Sequence, residues 1–225
     1  MGGPSATPTP PPSVSTATAT AVHAICGLGL PLSNWIARYF YSHNLVSNPL
    51  GTIRLALAVQ ASLAILCYSF LRRDRNQCSL WKAIGRGAVG LVVGALVMAA
   101  GAIVLGAPVG IKYWAKTAYW SLLMSSFTVV PAASVFGSSW EDWKRLFADT
   151  KPSGIVDYMV CIPAHAAVIG AWIGAWPMPL DWERPWQEWP ICVTYGAAAG
   201  YLIGLVVSAG FILFCGRREQ HVKGD

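Results

Sequence analysis

The sequence predicts an all-α, polytopic integral membrane protein with about six transmembrane helices. Three observations carry that expectation. Of 225 residues, 55% are hydrophobic and only 12% charged, whereas soluble domains carry about 25% charged residues. Mean hydropathy is +0.48. The apolar residues also gather in runs approaching the ~20 residues that a bilayer-crossing helix needs. No β-barrel alternation is present, so helices must satisfy the backbone within lipid. A soluble globule, a disordered chain and a disulfide-rich secreted module are all excluded by this composition.

The elements follow in order. Residues 1–20 are almost entirely Gly, Pro, Ser, Thr and Ala without charge, and are expected to be a disordered tail. No basic region precedes the first apolar run, as a signal peptide would require. A six-helix domain is expected over 21–216. Its spans are 21–37, 53–71, 88–105, 114–136, 155–176 and 191–215, the first weakened by Pro31 and Asn34. A basic tail, 217–225, closes the chain.

Charge assigns an orientation. Lys/Arg exceed Asp/Glu by 16 to 10, and the basic residues cluster between spans, as in Arg72-Arg73 and Arg217-Arg218. These clusters read as topology signals and lipid-headgroup contacts, not as a nucleic-acid surface. Eleven lie on the side of the second and fourth linkers and the C-terminal tail, and five on the other. The positive-inside bias therefore places both termini in the cytoplasm and the loop 177–190 on the lumenal side. Many of the eleven Trp, including Trp81, Trp114, Trp140, Trp143, Trp176 and Trp189, fall near span ends, where an aromatic belt is expected.

No catalytic, metal or cofactor motif appears. The six Cys are scattered without a CxxC or a His at ligand spacing, so neither a disulfide framework nor a zinc site is expected. Walker A, G-x-S-x-G, H-E-x-x-H and dinucleotide fingerprints are all missing. His165 lies inside the fifth span, where a neutral imidazole bonded to a neighbouring helix accounts for it. Charged residues lie almost wholly outside the spans, which disfavours a coupled transporter.

Two features point to contact surfaces. Glycines recur four apart at Gly90/Gly94, Gly170/Gly174 and Gly196/Gly200/Gly204. Such stripes let helix backbones approach, either within this chain or against another membrane protein, with the sixth helix the best docking candidate. The loop 177–190 combines four Pro with Trp182, Trp186 and Trp189, and sets Asp181, Glu183 and Glu188 around Arg184. Rigid aromatics beside an Arg suit a protein–protein hot spot. The same residues allow a structural cap, a site for a cationic headgroup such as ethanolamine, or an Asp181/Glu183 carboxylate pair without an accompanying nucleophile.

Several strings in the C-terminal half carry a resemblance. They are Gly106-Ala107-Pro108, Ser126-Phe127-Thr128-Val129-Val130-Pro131 and Trp143-Lys144-Arg145-Leu146-Phe147. Further strings are Gly170-Ala171-Trp172-Ile173-Gly174-Ala175, Pro179-Leu180-Asp181-Trp182-Glu183-Arg184-Pro185-Trp186-Gln187 and Thr194-Tyr195-Gly196. From about Leu105 to Ser208 the chain resembles PIG-F, the phosphatidylinositol-glycan class F family of glycosylphosphatidylinositol (GPI) anchor assembly. The first hundred residues match only in hydrophobic layout. The resemblance implies a multi-pass endoplasmic reticulum subunit without catalytic residues or cofactor. It would stabilise PIG-O-type and PIG-G-type catalytic subunits, which transfer ethanolamine phosphate from phosphatidylethanolamine to the GPI precursor. Gly170, Gly174, Gly196, Gly200 and Gly204, with Asp181, Trp182, Glu183, Arg184, Pro185, Trp186 and Trp189, are the expected partner or lipid contacts.

Overall fold

The computed structural model describes residues 14–73, 75 and 77–222, with side chains as far as Phe214. Six long helices form: α1 (Thr16–Tyr41), α2 (Pro49–Phe70), α3 (Leu80–Val104), α4 (Ile111–Phe136), α5 (Ile155–Ala175) and α6 (Ile191–Val222). A short helix, Trp140–Trp143, runs into a π turn, Lys144–Ala148, between α4 and α5. The chain is a polytopic, all-helical membrane protein.

Five of these helices are long and apolar enough to cross a membrane, α1 being the exception. Thr-rich first turns, Pro31, Asn34 and Arg38 dilute α1, although it packs against α2 and α6 within the bundle. The expected tail also ends earlier than Thr20. Ser15 caps α1 by accepting the Thr18 N–H at 3.1 Å, and Ala19 is fully buried. After the last proline of the leader, nothing opposes a helix in a Thr/Ala run; residues 1–13 lie outside the described part. At the other end α6 continues to Val222, through most of the expected tail.

α2 and α3 begin with side-chain caps, α4 and α5 follow glycine, and α6 starts directly after Pro190. Asn48 accepts the Gly51 N–H ahead of Pro49, and Ser79 accepts the Lys82 N–H, each satisfying a donor with no partner inside the helix. α3 ends on Gly106, at φ +99°, where the Ala107 N–H closes back on Ala102 O at 2.8 Å; a left-handed residue costs little there only as glycine.

α4 is the hub. It packs against α2, α3 and α5, and fifteen of its residues are buried. Three of its buried hydroxyls are absorbed by backbone carbonyls: Thr128 Oγ1 donates to Met124 O at 2.8 Å, Ser126 Oγ to Leu123 O at 2.6 Å and Ser125 Oγ across to Gly90 O at 3.2 Å. Gly90 sits directly under α4, since a Cβ there would lie 2.6 Å from Ala133 Cβ. Phe127 stacks on Tyr201 of α6 with ring centroids 4.4 Å apart, and Gln60 Nε2 of α2 donates to Tyr201 Oη at 3.1 Å.

Pro163 in α5 cannot supply the N–H that would bond to Met159 O. Tyr68 Oη of α2 donates to that carbonyl instead, at 3.1 Å. In lipid such a replacement is obligatory, because no water is present to take the freed group.

The tightest junction joins α5 to α6. A Cβ at Gly170 would collide with the Gly196 carbonyl, and one at Gly200 with the Ala166 carbonyl. A Cβ at Gly174 would lie 2.6 Å from Cys192 O, and one at Gly204 2.7 Å from Pro163 Cα. The five stripe glycines are thus consumed by backbone contact within the chain. Docking of another protein through these faces, one of the two expected uses, is excluded by geometry because the faces already cover each other.

Val14 and the ends of α2 and α4 meet the start of α5 at one end of the bundle. The α3–α4 turn and the loop 177–190 lie at the other. Gly200→Leu should force α5 and α6 apart, costing about 3 kcal/mol and lowering the unfolding midpoint in detergent. Tyr68→Phe should strand the Met159 carbonyl, costing about 1–2 kcal/mol by the same measurement, with helicity unchanged.

Candidate partner-docking site

Loop 177–190 is held from inside by Gln187, a residue to which sequence reasoning gave no role. The sequence signal was an uncharged amide set between two Trp in an otherwise charged and proline-rich stretch. Its Nε2 donates to Pro177 O and to Leu180 O, and its Oε1 accepts the Arg184 N–H at 2.8 Å. One buried side chain therefore ties three separated points of the loop. A 3-10 turn, Pro185–Gln187, completes the fold of the segment.

Two further bonds attach the loop to α4. Trp189 Nε1 donates to Thr117 Oγ1 at 3.0 Å, and its ring lies 5.0 Å from Trp120. Lys116 Nζ meets Glu188 Oε1 at 2.8 Å. Trp189 is 6% exposed, so it serves mainly as the loop's anchor.

The remaining loop residues do form a surface. Asp181, Trp182, Glu183, Arg184 and Pro185 are exposed and Trp186 is half-buried. Trp182 and Trp186 stand 6.0 Å apart. Glu183 adopts a left-handed φ of 49°, which turns the chain sharply at the tip. Neither Asp181 nor Glu183 has a hydrogen-bonded His, Ser or Cys beside it among the described residues, and no group of three potential metal ligands forms there.

Directly beneath the loop lies a groove of about 790 Å³ that the sequence did not reveal. α3 leans on α4 and α2, leaving a gap towards α5. The groove's walls are Val97, Met98 and Gly101 of α3 facing Trp172 of α5 and Trp176, the residue that caps it, with Trp120 at its base. Its rim includes Met178, Pro179 and Trp189, so groove and loop form one continuous surface. Trp172 is 61% exposed and Trp176 75%. Small residues keep the groove open, and a Cβ at Gly101 would meet nothing within 4 Å. That openness is the reverse of Gly87, Gly90 and Gly94 on the same helix, which are pressed against α4. Spacing alone could not separate these packed glycines from Gly101.

His165 is accounted for locally. Its Nδ1 donates to Cys161 O of its own helix at 2.8 Å and its ring stacks on Phe147, so the partner is not a neighbouring helix's carbonyl. Of the expected belt, Trp81, Trp114, Trp140 and Trp176 are exposed near helix ends. Trp143 instead turns in to donate to Gly137 O at 2.8 Å.

Comparison with known families decides the lineage: residues 29–209 match the model of the GPI biosynthesis protein family Pig-F. The chain belongs to that family. It is 41% identical over 123 residues to the human GPI ethanolamine phosphate transferase, stabilizing subunit, a match covering 55% of each chain. It is 36% identical over 126 residues to the PIGF/3-ketodihydrosphingosine reductase fusion protein of Schizosaccharomyces pombe, covering 56% of this chain and 25% of that one. The glycosylphosphatidylinositol anchor biosynthesis protein 11 of Candida albicans is 36% identical over 114 residues, 47% of this chain and 40% of its own. Matches to the first of these span about half the relative's length. No solved structure matches the chain.

Gln187→Leu keeps the volume but removes three hydrogen bonds. The Pig-F loop should then be cut faster by protease between Pro177 and Trp189, while the helical bundle melts within a few degrees of the wild type.

Proposed function

We propose that this chain is a non-catalytic accessory subunit of GPI ethanolamine-phosphate transferases in the endoplasmic reticulum membrane. It would hold catalytic subunits of PIG-O and PIG-G type, with both termini cytoplasmic and the 177–190 loop lumenal. The name of the human relative, a stabilizing subunit of that transferase, supports the role. The observation that carries the reading is the apolar groove whose rim, at Met178 and Pro179, is the base of the Trp- and Arg-bearing loop.

The chemistry of the two parts suits one partner chain that crosses the interface. A membrane helix of the partner fills the groove between α3 and α5, where side-chain packing drives helix association in lipid. Above it, Trp182 and Arg184 meet the partner as it leaves the membrane, providing rigid aromatic area next to a planar cation. The expected glycine-stripe docking is replaced by this groove. The glycines then act one step back, fixing α5 where it forms a wall.

Gly101→Leu fills open space on α3 and leaves every internal contact in place. Co-purification of the catalytic subunit should fall at least about tenfold, a loss of roughly 1.4 kcal/mol or more, with the unfolding midpoint of the isolated chain preserved. Trp182→Ala should weaken the same complex. Undiminished complex from both variants would refute the docking surface.

A further inference from the structure

At the end of the bundle opposite the loop, a second pocket of about 340 Å³ opens where α2 and α4 end and α5 begins. Its floor is apolar, including Leu71, Phe136 and Val156, and its rim carries Arg72, Arg73, Arg75 and Arg145. Four guanidinium groups around one cavity are costly in mutual repulsion unless anions answer them.

Among the described residues, two of the four are answered by carboxylates. Asp142 Oδ1 lies 2.7 Å from both Arg73 Nη1 and Arg145 Nη2. Asp157 takes Arg145 through both oxygens, at 3.1 and 3.3 Å, and is itself fixed by the Ser153 N–H and hydroxyl. Burial would push the Asp142 carboxyl up. The Ser139 hydrogen bond and the Arg73 and Arg145 charges outweigh that and hold it below its ordinary value, so it stays ionised at neutral pH.

Arg72 and Arg75 are held differently. Arg72 donates to the carbonyls of Cys78 and Ser69, and Arg75 to Phe70 O. Carbonyls fix these side chains in place without cancelling their charge. Asp74 falls between Arg73 and Arg75 in the sequence, so with Asp142 and Asp157 counted as well the four Arg keep a surplus of one positive charge. A planar guanidinium suits a phosphate oxygen pair, and basic pockets between membrane helices suit lipid headgroups.

We propose that this pocket seats the phosphodiester of an anionic glycerophospholipid, with Arg72 and Arg75 as its ligands and the apolar floor under its glycerol and first methylenes. Arg73 and Arg145, fixed by Asp142 and Asp157, are positioning residues that brace the rim. The apolar floor is what selects a lipid over a free phosphate, and the surplus charge is what disfavours a zwitterionic headgroup.

The test uses the purified full-length chain in detergent, with dioctanoyl phosphatidylinositol and dioctanoyl phosphatidylcholine as probes, read by native mass spectrometry and thermal shift. Phosphatidylinositol should bind about tenfold tighter or better. That preference should shrink as salt rises from about 50 to about 500 mM. Arg72→Gln with Arg75→Gln should abolish it, and Arg72→Lys with Arg75→Lys should keep part of it. Inorganic phosphate should not compete at the same concentration. Equal binding of the two lipids by the wild type overturns the proposal, whether or not the variants fold. So does a Gln double variant that retains the preference, or phosphate that competes as well as the lipid. No transferase is present in this assay, so its outcome is separate from that of the docking surface.

Discussion

The backbone-to-backbone contact of α5 with α6 sets what the rest of the molecule can do. Where a methyl group at Gly170, Gly196 or Gly200 would strike a carbonyl or a Cα of the facing helix, the two helices have no freedom to slide or roll. In lipid, where apolar side chains gain nothing by leaving the solvent, such close approach is what holds helices together. It fixes α5 relative to α6, and so fixes both strands of chain from which the loop 177–190 springs. The groove exists because α5 is committed to α6 on one side, while α3 is committed to α4 on another. The gap between the two committed pairs is left for something else.

Polar groups serve this bundle as connectors. Tyr68 crosses from α2 to a carbonyl that Pro163 has released in α5, and Gln60 reaches Tyr201 on α6. At the loop, Gln187, Thr117 and Lys116 do similar work for a segment without regular structure. The tip is stiff before any partner arrives, which lowers the ordering cost of association.

Much of this was legible in the residues. The apolar runs located α2 to α6 to within a few residues at most ends, and the Pro/Trp composition marked the loop as rigid. The first span was harder: its Thr-rich start looked like tail, yet nothing in Ser15–Thr20 resists helix once Pro12 is passed. Glycine spacing announced close packing but not against what, because periodicity on one helix carries no information about which neighbour covers it. Trp189 and Trp182 are the same residue type seven positions apart, one an anchor at 6% exposure and the other displayed at 57%. Only the fold separates them. Gly101, the glycine that faces the groove, belongs to no four-residue stripe, and its spacing gives no sign of that role.

The described ends of the chain, Val14 and α6 beyond Phe214, emerge on the face opposite the tryptophan-bearing tip. The described chain therefore enters and leaves the bundle about 30 Å, a bilayer's hydrocarbon thickness, from the groove and the loop. Entry and exit share one face of the bundle, and the opposite face is left whole for an incoming neighbour.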